Sequence, residues 1–128
     1  MIVLSEREEE LGGTIVDSAY TVHYALGPGL LESIYETCFC HELQKRHVPF
    51  RRQVNVPLTY DGVVLSQGLR LDILVDDLVI CELESVEGLT PVFLAQILSQ
   101  LLLSGKHLGF LINFNVALIK SGIRRVIR

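Results

Sequence analysis

The chain has 128 residues, 49% of them hydrophobic, with a formal net charge of −4 and a mean hydropathy of +0.40. That length makes one domain, residues 1–128, which buries roughly two-thirds of its unfolded surface, and the apolar excess suggests a homo-oligomer interface besides. No apolar run approaches the roughly 20 residues of a membrane span, and an acidic balance excludes a protein that coats nucleic acid non-specifically, since such binding rests on neutralising phosphates.

The N-terminal stretch Ser5-Glu6-Arg7-Glu8-Glu9-Glu10 is unlike a signal peptide. Three cysteines, an odd number, suit free thiols in a reducing compartment, so a cytoplasmic location is expected. Ser5 and Glu8 spell a capping box, and Leu11, Ile15, Ala19, Val22 and Leu26 follow at helical spacing, predicting a first helix of about 20 residues that Gly27-Pro28-Gly29 ends. Leu31, Ile34, Tyr35, Cys38 and Phe39 predict a second amphipathic helix over Leu30 to His47, with Glu32 and Tyr35 one turn apart. Cys38-Phe39-Cys40-His41 is not a zinc cluster, because helical residues two apart point about 200° away from each other. Base gathers at Lys45-Arg46-His47 and Arg51-Arg52, and again at Lys120, Arg124, Arg125 and Arg128, as solvated surface or as local basic patches.

After Pro49 the pattern becomes strand-like, with Pro57 marking an edge position or a bulge and Asp61-Gly62 marking a tight hairpin turn. The stretch Leu69 to Glu84 reads as a second hairpin. The odd positions of its two strands, Leu69, Leu71, Ile73, Val75, Val79, Cys81 and Leu83, are apolar and predict one core face, while Arg70, Asp72, Glu82 and Glu84 fall on the other. Asp72 and Glu82 stand together only if Val75 pairs with Val79, leaving Asp76, Asp77 and Leu78 as the loop; a two-residue loop sets the two acids on opposite faces. In that register Arg70 lies across from Glu84. Thr90-Pro91 then opens a helix to Ser104 that Gly105 terminates, apolar almost all round and so expected to be largely buried, with Gln96 and Gln100 sharing a face. His107 to Phe114 and Ile123 to Ile127 complete the order helix, helix, three strands, helix, two strands.

Asp72, Glu82 and Glu84 present hard oxygens from rigid strands, a donor set for Mg²⁺ or Mn²⁺ with retained water. Such an ion polarises a phosphoryl oxygen and lowers the pKa of an attacking water. The plainer alternative is a solvent-facing strand pair tied by an Arg70–Glu84 salt bridge. Glu32 offers a further carboxylate, although the helix dipole favours glutamate there in any case. Gln96 reaches the charged face or caps a backbone group. The histidines have no nucleophile beside them, and no glycine loop of the phosphate-cradling type is present.

The motif Gly29-Leu30-Leu31-Glu32-Ser33-Ile34-Tyr35 resembles that of the bacterial GxxExxY proteins, grouped with the PD-(D/E)XK nuclease superfamily. The resemblance continues through Arg70 to Val75, Glu82 to Glu87, Leu89-Thr90-Pro91, Ala95-Gln96 and Leu108 to Asn115, nearly the whole chain. It implies an α/β fold with a mixed central sheet flanked by helices, and a metal-dependent nuclease site with Glu32, Asp72 and Glu82 in the acidic positions and Gln96 on the following helix. The sequence departs from it at Glu84, where the superfamily carries the lysine of Glu-x-Lys. A carboxylate supplies no positive charge, so Glu84 is expected to act as a metal ligand or general base, with nucleic acid as the implied partner. The competing reading is a catalytically silent domain that keeps the fold for self-assembly or partner binding.

Overall fold

The computed structural model describes residues 2–128. Helix α1 (Glu6–Leu26) starts at the expected capping box: Ser5 Oγ accepts from the Glu8 amide at 3.1 Å, and Glu8 Oε1 accepts from the Ser5 amide at 2.7 Å. Helix α2 (Glu32–Lys45) is shorter than the sequence pattern suggests, because Leu31 is still extended. Tyr35, Phe39 and Leu43 form its buried i, i+4, i+8 row, with Cys40 beside them, whereas Leu31 and Ile34 stay exposed.

Strands β1 (Phe50–Tyr60), β2 (Val63–Val75) and β3 (Val79–Glu84) run as a meander. Helix α3 (Pro91–Ser104) crosses over to β4 (Leu108–Asn113), which lies parallel to β3, and a short 3-10 turn leads to β5 (Ile123–Ile127). A parallel pair needs such a crossover. The five strands lie in chain order, β1-β2-β3-β4-β5, a mixed sheet as the sequence implies. One face packs on α1 and α2 through Ile15, Tyr35, Phe39, Cys81 and Phe110; the other packs on α3 through Leu71, Leu74, Ile80, Ile97 and Leu111.

Two sequence expectations need correction. Helix α3 is not buried all round: of its apolar side chains only Ile97 and Leu101 are buried, and nothing covers its outer surface. The odd positions of β2 also do not share one face. Ile73 and Val75 point toward α1 and α2, but Leu69 and Leu71 point toward α3. The reversal falls where Gln53 of β1, opposite Asp72, takes a left-handed conformation with φ of 51°. A residue with positive φ in a strand rotates the chain, so both strands exchange their inward faces at that level.

The β1–β2 ribbon continues well past β3. Residues Leu58 to Leu65 pair only with each other, beyond a register shift at Pro57, and end in the Asp61-Gly62 turn with both residues at positive φ. Gly68 permits the shift, since a Cβ there would meet the Leu58 side chain at 2.4 Å.

Candidate active site

The second hairpin has the expected register, Val75 opposite Val79 and Leu74 opposite Ile80, with Asp76 and Asp77 turning at positive φ. The ladder between β2 and β3 stops at Ile73 opposite Cys81. Beyond that rung two side chains replace the backbone pairing: the Asp72 amide donates to Glu82 Oε2 at 2.8 Å, and the Leu83 amide donates to Asp72 Oδ2 at 3.1 Å. The acids thus stand at the point where the two strands part.

That parting overturns the expected Arg70–Glu84 pair. Arg70 lies opposite Asn55 of β1, and no salt bridge joins it to Glu84 among the described residues. The Glu84 carboxyl faces Glu32 instead, the first residue of α2. Its approach is fixed by the turn between the first two helices. Tyr35 Oη donates to the Gly27 carbonyl at 2.6 Å and accepts from the Leu30 amide at 3.1 Å, while its ring stacks on Phe114 with centroids 4.6 Å apart. Ser85 Oγ donates to the Leu30 carbonyl at 2.6 Å, tying the end of β3 to the same turn. In the Gly-x-x-Glu-x-x-Tyr motif, then, the tyrosine clamps the turn that delivers the glutamate.

None of the four acids has a cationic partner within salt-bridge distance among the described residues, and all four hold protons more tightly than usual. Burial pushes the Glu82 carboxyl up to about 8, with the Asp72 charge adding to it. Burial likewise raises Glu84 to about 7, reinforced by Glu32 and Asp72. Glu32 is raised by burial and then by Asp72, and Asp72 is raised by burial and by Glu36 against the opposing pull of the Leu83 amide. Arg70 is the nearest basic influence on Asp72 and a small one.

The expected glutamine is displaced by one helical turn. Gln96 is exposed, on the wall of a groove of about 530 Å³ that Arg70, Asp72 and Glu82 also line. The side chain that touches the acids is Gln100, which is buried and donates from Nε2 to Glu82 Oε1. Its own Oε1 is the one buried side-chain oxygen or nitrogen without a partner among the described residues. The shared face of Gln96 and Gln100 was legible in their spacing; which of the two sits deeper was not.

A family model of the PD-(D/E)XK nuclease superfamily matches residues 9–126. The chain belongs to the PD-(D/E)XK nuclease superfamily. No curated protein and no solved structure matches it. The three helices and the five-stranded mixed sheet are consistent with a PD-(D/E)XK fold. Nucleases of this superfamily generally use divalent metal ions. The donor set here fits one: buried hard oxygens with no salt-bridge partner among the described residues are what a Mg²⁺ or Mn²⁺ ion relieves. No three His, Cys, Asp or Glu side chains converge as a finished ligand set among the described residues. Mg²⁺ commonly takes only one or two protein carboxylates and fills its shell with water and substrate oxygens.

Proposed function

We propose that this PD-(D/E)XK protein, a member of the GxxExxY group, hydrolyses phosphodiester bonds in nucleic acid with Mg²⁺ or Mn²⁺. Asp72 and Glu82 would hold the ion directly, with Glu84 and Glu32 reaching it through its retained waters. The observation that carries the reading is the pair Asp72 and Glu82 on the wall of an open groove, with Glu32 and Glu84 facing each other near it and no salt-bridge partner for any of the four among the described residues. When bound, the ion supplies Lewis-acid stabilisation of the phosphoryl charge.

The chain's own residues supply the rest. Gln100 and the Asp72 amide orient Glu82 from two sides, so its oxygens are set before anything binds. Glu84, with a proton affinity near neutrality, is suited to accept a proton from the attacking water as the phosphorus–oxygen bond breaks. Gln96 and Arg70, on the groove wall, are placed to position the phosphate backbone.

The test is a calorimetric titration of Mn²⁺ and Mg²⁺ into the wild-type chain and Glu82→Gln, followed by cleavage assays on DNA and RNA with Asp72→Ala. Saturable binding that Glu82→Gln loses, together with cleavage that Asp72→Ala loses, is the expected result. Unchanged binding and cleavage in Asp72→Ala would overturn the assignment.

A further inference from the structure

Two surfaces of this molecule lack the cover that their composition demands. Helix α3 contains no charged residue in its 14 positions, yet Leu94, Leu98 and Leu102 form an exposed i, i+4, i+8 ridge, and Val92 and Leu103 are open further round the helix. A helix on the surface of a monomer normally turns charged residues outward. The second surface is the ribbon arm beyond Pro57. In its register Tyr60 pairs with Val63 and Leu58 with Leu65, so these four side chains share one face, and Tyr60, Val63 and Leu65 are exposed on it. Between Gln53 and Leu69 the only charge is Asp61. A two-stranded ribbon is at best marginal alone in water, and this one has neither a third strand nor a helix under its tip.

We infer that the two surfaces cover each other in a twofold dimer, the arm of one copy lying on the α3 ridge of the second and the reverse. Each surface is apolar and almost uncharged, the composition of an interface centre. Their exposed side chains amount to on the order of 700 Å² per copy, near the ~800 Å² that each partner gives to a stable interface. The arm and the helix are different patches of one chain, so a twofold axis makes the contact twice and closes the assembly without leaving either patch over.

Light scattering on the size-exclusion peak of the wild-type chain should give twice the 14.3 kDa of one copy. Val63→Lys and Leu102→Glu should each give single-copy mass with an unchanged circular dichroism spectrum. Mixing the two variants should restore the doubled mass, because one contact then joins lysine to glutamate and the other is wild type. Should either charged variant unfold, Val63→Ser and Leu102→Ser replace it in the mass comparison, each expected to weaken the dimer. A wild-type chain that stays single at its highest soluble concentration, a variant that folds and keeps the doubled mass, or a mixture of charged variants that stays single would each overturn the arm-on-helix dimer. None of these readouts depends on metal or on cleavage, so the dimer and the nuclease reading stand or fall separately.

Discussion

At the scale of single residues the most informative position is Glu84. It sits where the superfamily's lysine is expected, and here it faces Glu32 with burial and that second acid both raising its proton affinity. Glu84→Lys exchanges two like groups for an ion pair. It should raise stability by about 1 kcal/mol, the scale of a partly exposed pair, read as a higher urea midpoint in metal-free buffer. It should also remove the arm of the rate profile that reports a base titrating near pH 7. A lower urea midpoint would mean that the Glu32–Glu84 contact is not the repulsive one described. Gln53 is the other residue whose backbone matters, since its left-handed conformation turns Leu71 and Ile73 to opposite faces.

Among the elements, the turn between α1 and α2 depends on one hydroxyl. Tyr35→Phe keeps the stack on Phe114 but leaves the Gly27 carbonyl and the Leu30 amide without their partner. The expected loss is about 1–2 kcal/mol in urea unfolding, with weaker metal binding because Glu32 is no longer held. Much of this level was readable from the chain. The requirement that Asp72 and Glu82 share a face selected the three-residue loop, and the loop has that form. The capping box and the Asp61-Gly62 turn are local chemistry, and the structure repeats them. What could not be read was where a ladder ends. Arg70 and Glu84 are opposite only if pairing runs on past Ile73, and the face switch at Gln53 is a backbone event with no side-chain signature. The leucines of α3 say that something apolar covers the helix, but not whether the sheet or a second molecule does so.

For the whole molecule the four acids set the dependence of stability on pH. Their proton affinities are raised in the folded chain above the ordinary 4.5 of glutamate and 3.8 of aspartate. Protonation therefore favours the fold: the contribution is complete below the unfolded value and is lost as pH rises through about 7 for Glu84 and about 8 for Glu82. Glu42, held below its usual range first by its hydrogen bond with Arg46, acts in the opposite sense and costs stability only in stronger acid. In chelator the melting temperature should fall between about pH 5 and pH 8, and Mg²⁺ should restore it at the upper end while doing little at the lower. A melting temperature that stays level over this range would contradict the burial of these acids. The same carboxylates have a second employment, because Asp72 and Glu82 accept from the Leu83 and Asp72 amides. Each of those oxygens keeps a free lone pair, so a metal binds without breaking either amide bond and holds both acceptors still. Amide hydrogen exchange should therefore slow at Asp72 and Leu83 when metal binds, as the protein around them melts at a higher temperature.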